Sequence, residues 1–236
     1  MCLLFAIKLI GQQPPAMPID DNSDWWSVTN EHGSGLDDRA KAVTPIFETR
    51  EIAGGNFSIL GIDIRKGALK QASHELGEVT VIDRGDAATG REQQCYVSSA
   101  PEGKVYFIVE EGEVNNAFYL FSEQSPWNGM QYCSRSPRIS RKIATNSGLG
   151  LGLTKEEVIH ILGKPSIVDK NGLEYLLEFN KKTSPKVLAR IRKENPDLGE
   201  KEFQKNFGTY DITVFIRLKF AHSKLEYIAI SESETY

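Results

Sequence analysis

The chain has 236 residues, a formal net charge of −4, 40% hydrophobic residues and 25% charged residues. That balance suits a globular chain rather than a disordered one and gives no bulk attraction to polyanions, so nucleic acid is not an expected partner. No apolar run approaches the roughly 20 residues that cross a bilayer as a helix.

Residues 1–45 read as an N-terminal segment. Leu3 to Ile10 is mostly apolar but interrupted by Lys8, and a polar, proline-containing break follows from Gln12 to Ala16. This resembles the core of a short or remnant signal peptide, with an ordinary apolar start as the alternative. The stretch from Met17 to about residue 45 is turn-rich and linker-like, apart from Trp25-Trp26, which fits an anchor onto the folded body.

Regular patterning begins near Phe47. Asn56 to Ile64 alternates apolar and polar residues, as a strand or the approach to a helix does. Lys66 to Leu76 carries Leu69, Ala72 and Leu76 at helical spacing, with Gly77 as the stop. A short strand over Val79 to Ile82 and a turn-rich stretch over Asp83 to Gly90 come next. Strands follow at Gln94 to Ser98, Val105 to Glu110 and Ala117 to Phe121, the last two joined at Glu111-Gly112-Glu113.

The second half repeats this order. Thr154 caps a helix over Lys155 to Leu162, Glu156 and Glu157 sit in its first turn, and Gly163 and Pro165 end it. Ile167-Val168 is a short strand, Asn171-Gly172 a tight turn, and Leu173 to Phe179, Thr213 to Phe220 and Leu225 to Ser231 are strands. Sliding the chain by 86 positions lays Leu76-Gly77 over Leu162-Gly163 and His74 over His160. The expected fold is therefore α+β, two tandem modules each of a helix on an antiparallel sheet, over 46–145 and 146–236. Residues 181–208 interrupt the second module as two short amphipathic helices split at Asn195-Pro196, reading chiefly as a solvated helical face.

The stretch from Gly152-Leu153-Thr154 through Val158 to Leu162-Gly163-Lys164-Pro165 resembles the signature of the SmpA/OmlA family, the small lipoprotein of the outer-membrane β-barrel assembly machine. It is also similar to the superfamily that includes the β-lactamase-inhibitory proteins. The shared pattern is Gly-apolar-Thr, a short amphipathic helix, Leu-Gly-x-Pro, then antiparallel strands. The resemblance covers Leu149 to Ser231, with the helical insertion as a departure. In the first half Leu76-Gly77 lacks the following proline, and Lys66-Gly67-Ala68 stands where the threonine cap belongs. No lipobox precedes a cysteine, so lipidation is not implied. The resemblance implies tandem modules that present a sheet face to a partner protein in the bacterial cell envelope or secreted space.

Catalytic patterns are scarce. His32, His74, His160 and His222 have no metal-ligand spacing, there is no nucleophile elbow, and nothing calls for a cofactor or metal. Gly148-Leu149-Gly150-Leu151-Gly152 lacks the Lys-Ser/Thr ending of a phosphate loop and reads as a flexible link. The acidic residues Asp83, Asp86, Glu110, Glu111 and Glu113 have no partner assigned by spacing. The expectation is a non-enzymatic protein-binding module, periplasmic or secreted, with a cytoplasmic location as the alternative. Its candidate contacts are Tyr96, Tyr106, Tyr119, Trp127 and Tyr132, because aromatic side chains dominate binding hot spots. Strand alternation would place about half of them in the core. The competing readings are a hydrolase at the module junction, using His74 or His160, and a structural envelope component. Cys95 and Cys133 form an even pair once Cys2 is set aside, a possible disulfide and the main pointer to an oxidising compartment.

Overall fold

The structure, a computed structural model, describes residues 47–84, 90–100, 103–112, 115–123 and 133–235. The N-terminal segment, Asp86, Glu113, Trp127 and Tyr132 lie outside these residues.

The fold is α+β, with its helices packed on antiparallel sheet. A small hairpin, β1 (Ser58–Ile59) and β2 (Ile62–Asp63), precedes α1 (Ala68–Leu76). Strands β3 (Ile82–Arg84), β4 (Arg91–Ser98), β5 (Val105–Gly112) and β6 (Asn115–Ser122) follow, and then β7 (Ser134–Ser136). The second half contains α2 (Lys155–Leu162), β8 (Ile167–Val168), β9 (Gly172–Lys182), α3 (Pro185–Glu194), α4 (Glu200–Phe207), β10 (Thr209–Ala221) and β11 (Lys224–Thr235). One nine-stranded sheet carries the order β3-β4-β5-β6-β11-β10-β9-β8, with β7 parallel to β4. β6 and β11 meet at its centre, antiparallel, from Tyr227↔Phe121 to Ser233↔Asn115.

The strands alternate between two buried faces. Phe107, Phe118, Leu120, Tyr175, Val214, Ile216, Ile228 and Ile230 point to the helix side, where they pack with Leu69, Ala72, Val158 and Leu162. Cys95, Ile108, Tyr119, Phe121, Tyr227 and Ala229 form a second apolar cluster. The Arg217–Glu174 ion pair is also buried, at 2.8 Å, and Arg91, half-buried, pairs with the buried Glu110 at 3.0 Å.

Local chemistry explains the helix ends. Thr154 Oγ1 accepts from Glu157 N–H at 3.3 Å while Glu157 Oε2 accepts from Thr154 N–H at 2.7 Å, a complete capping box. α1 has no such cap, and Gly67 enters it in the left-handed region at φ 71°. Gly77 and Gly163 end the two helices at φ 101° and 81°, each giving its N–H to a last-turn carbonyl.

Three expectations shift. The strand expected over Val79 to Ile82 lies at Ile82–Arg84, because Gln93, Glu92 and Arg91 supply its hydrogen-bonding partners there. Glu111 and Gly112, expected in a turn, remain paired with Glu92 and Arg91. The glycine-rich stretch 148–152 is packed rather than a loose link. Leu149 is buried, Gly150 bridges Ala144, and Gly152 N–H donates to the Leu225 carbonyl at 2.7 Å. A side chain at Gly150 would put its Cβ 2.9 Å from the Ile143 carbonyl oxygen, so only glycine fits this approach.

Candidate functional site

The expected contact residues separate. Tyr96 is fully buried on β4, and its hydroxyl lies 3.1 Å from the Gly77 carbonyl, to which it donates. Gln94 holds the same site from the side, its Oε1 at 3.2 Å from that hydroxyl and its Nε2 donating to Ser73 Oγ at 2.9 Å. Burial pushes the Tyr96 phenol up to about 12, so it stays a neutral donor. Tyr119 is buried too, lining a small recess with Arg91, Glu110, Asn115 and Ser231. Tyr106 is half-buried and stacks on Phe121 at 5.2 Å and 13°. Their aromatic area therefore serves the interior of the sheet.

A second tyrosine, not singled out from sequence, mirrors Tyr96. Tyr175 on β9 is fully buried and donates to the Gly163 carbonyl at 3.1 Å, and burial pushes its phenol up to about 12. Each half thus hangs the end of its helix on a strand tyrosine. The tyrosine follows the glycine by 19 residues in one half and by 12 in the other. An offset of 86 therefore aligns the glycines but misses the tyrosines; admitting a seven-residue gap would have found them.

Cys95 and Cys133 are bonded, with Cα atoms 4.6 Å apart. The bridge fastens the residue before β7 to β4, whose outer edge carries β3 at one end and β7 at the other. His32 lies outside the described residues, and the other three histidines stay on the surface. His74 Nδ1 lies 3.0 Å from Glu75 Oε1, but its side chain is 83% exposed, and His160 and His222 are exposed as well. Among the described residues, neither His74 nor His160 meets a carboxylate or hydroxyl in a pocket, the geometry that the hydrolase reading needs. Among the described residues, no three His, Cys, Asp or Glu side chains gather at metal-binding spacing.

Two polar features remain. One is the Asp63–Arg65 cluster. Arg65 Nε and Nη2 donate to Asp63 Oδ1 and Oδ2, each at 2.9 Å, with Lys66 Nζ 3.3 Å from Oδ2. Burial alone would raise the Asp63 carboxyl, but the Arg65 and Lys66 hydrogen bonds outweigh it and hold it at about 2. Glu232 lies within electrostatic reach of this cluster. The apolar alternation in the sequence marks the last strand only as far as Ser231, one residue before Glu232.

The other feature is the hairpin of α3 and α4, set between β9 and β10. Its neck is closed by the Lys182↔Thr209 pair and by Thr183 N–H donating to the Gly208 carbonyl at 3.0 Å. Ser184 caps α3, with Pro185 at the first helical position. α3 buries no residue completely; Val187, Leu188 and Ile191 are half-buried. Phe203 of α4 is the buried anchor, with the Arg192 guanidinium 3.7 Å from its ring centre. Arg192 also donates to the Leu198 carbonyl at 2.7 Å and pairs with Glu200. Lys186, Arg190 and Lys193 are exposed at spacings of four and three, so they lie along one helical stripe. Residues 181–208 hold eight Lys and Arg against four Asp and Glu, a local +4 in a chain of −4.

Compared with family models, curated proteins and solved structures, the chain finds no match.

Proposed function

We propose that this chain is a non-enzymatic protein-binding scaffold of an oxidising compartment, the bacterial cell envelope or secreted space. On this reading the α3–α4 hairpin makes the contact. The observation that carries it is the basic stripe Lys186, Arg190 and Lys193, standing exposed on an inserted hairpin within an otherwise acidic chain. Tyr96 and Tyr119 are buried in the sheet and Tyr106 is half-buried on it, which leaves the exposed hairpin as the contact surface on this reading. Its cation content fits a partner with an acidic protein surface. Glu194, Asp197 and Glu202 are exposed around the stripe and would oppose a continuous polyanion more than discrete carboxylates.

The scaffold reading rests on the recurring element order. Counting outward from the β6–β11 seam, each side has three further strands, and each side holds a helix whose closing glycine receives a strand tyrosine. Two copies of one helix-on-sheet module, as in the superfamily that the Thr154 to Pro165 stretch resembles, account for this order. The Cys95–Cys133 bridge supports the compartment, since such bonds persist where thiols are not kept reduced.

The test is affinity capture from native envelope with the intact chain and with a Lys186→Glu/Arg190→Glu/Lys193→Glu variant. A partner recovered by the intact chain, lost by the variant and released by raised ionic strength is the expected result. Equal recovery by both proteins would remove the hairpin from the interface.

A further inference from the structure

One end of the central seam holds a buried carboxyl oxygen with no hydrogen-bond partner among the described residues. Glu232 lies on β11, between Val214 of β10 and Asn116 of β6. Strand alternation places it on the helix-covered face with Ile228 and Ile230. It is 4% exposed, and its Oε2 has no hydrogen-bond partner among the described residues. Buried carboxyl oxygens without a partner are uncommon because desolvation is costly when nothing replaces water.

The charged groups around it are already engaged. From the β1–β2 hairpin and the turn after it, Arg65 makes a two-point pair with Asp63 and donates to the Gly54 carbonyl at 3.4 Å. Its guanidinium also lies 4.8 Å from the centre of the Phe57 ring. Lys66 is on Asp63 as well. From the end of β9, Lys181 reaches Glu51 at 3.5 Å. Glu234 on the same strand and Asp63 add negative charge. Burial is the largest influence and, against the pull of Arg65 and Lys181, it pushes the Glu232 carboxyl up to about 7. The closed packing therefore accommodates the neutral acid, and the cations that act on it among the described residues, Arg65 and Lys181, are already paired.

We propose that Glu232 is a proton-operated latch on this end of the seam. With its proton, the segment 58–66 stays closed, its Ile62 and Ile64 sharing one core with Ile228 and Ile230 of β11. When the proton leaves to solvent, the carboxylate competes with Asp63 for the Arg65 guanidinium or draws in water, and the segment loosens. The latch closes in mildly acidic surroundings and opens toward alkaline ones. It is independent of what the α3–α4 hairpin binds.

Two measurements on the full chain test it. In the first, side-chain carboxyl carbons of glutamate are followed by NMR through a pH titration, with Glu232→Gln identifying the resonance. The expected result is one carboxyl, absent from the variant, that titrates far above the other glutamates. In the second, amide hydrogen exchange is compared between about pH 6 and about pH 8 after correction for the intrinsic rate. Opening of residues 58–66 and 230–235 should rise about tenfold in the wild type, the effect of one unit of proton linkage. The same residues should stay flat in Glu232→Gln. A Glu232 midpoint in the ordinary glutamate range, or equal rises in both proteins, overturns the latch. Should the variant fail to fold, loss of its resonance can be replaced by assignment in the wild type, whose titration then decides alone.

Discussion

At the scale of single residues, two carboxyl groups with shifted pKa values, Asp63 and Glu232, act in opposite pH ranges. Asp63 is held low by Arg65, so its contribution to stability is present above the ordinary aspartate range, near 3.8, and is lost as pH falls toward about 2. Glu232 is held high by burial. Its contribution is present below the ordinary glutamate value of 4.5 and is lost as pH rises through about 7. Between them they place maximum stability in the mildly acidic range. Denaturant midpoints measured against pH should fall on both sides of it. Asp63→Asn should flatten the acid limb, and Glu232→Gln should flatten the neutral limb and raise stability near pH 8 by roughly 1–3 kcal/mol. A wild type that grows steadily more stable up to pH 8 would contradict this account. The paired tyrosines give a second residue-scale expectation. Tyr96→Phe and Tyr175→Phe each leave a helix-ending carbonyl without its donor, at about 1–2 kcal/mol by urea titration. The equivalent geometry predicts similar losses, and a large inequality would show that the two helix ends are held differently.

At the scale of elements, α2 and the α3–α4 hairpin differ in what holds them. α2 is a short helix with a reciprocal cap at its start and a glycine stop at its end. Thr154→Ala should cost about 1 kcal/mol, because the Glu157 N–H loses its acceptor and the box opens. The hairpin, by contrast, is joined to the sheet at its neck, and its buried Phe203 packs against Arg192 and Phe207 of the hairpin itself. Replacing residues 184–207 by a short turn should leave the β9–β10 ladder intact, since Lys182 and Thr209 already face each other. The expected outcome is cooperative unfolding close to that of the full chain, with loss of the partner captured through the basic stripe. Collapse of the fold in this deletion would make the hairpin a structural part of the sheet.

At the scale of the whole molecule, the Cys95–Cys133 bridge closes a sequence separation of 38 residues. In the chain-entropy view such a loop is worth roughly 3–4 kcal/mol, so reduction or a Cys95→Ala/Cys133→Ala variant should lower the unfolding free energy by about that amount. A non-reducing mass measurement of native protein that showed two free thiols at Cys95 and Cys133 would remove both this expectation and the support for an oxidising compartment.

What the sequence determined by itself is what local chemistry decides. The Thr154 cap, the Gly163 stop and the turn between β10 and β11, where His222 and Ser223 take positive φ, depend on neighbours a few residues away. So do the helical stripes of α1 and α2, which is why the α+β class could be read directly. Tertiary structure decided the rest, because burial and pairing are set by residues far apart in the chain. The first edge strand moved to Ile82–Arg84 to meet β4. The joining of β6 to β11 made one sheet of both halves. That sheet took Tyr96 and Tyr119 into its interior, and it enclosed Glu232 beyond the strand end that the alternation of apolar residues had marked. A hydroxyl or carboxyl looks the same in a sequence whether it meets water or protein, and only the packing of distant strands settles which.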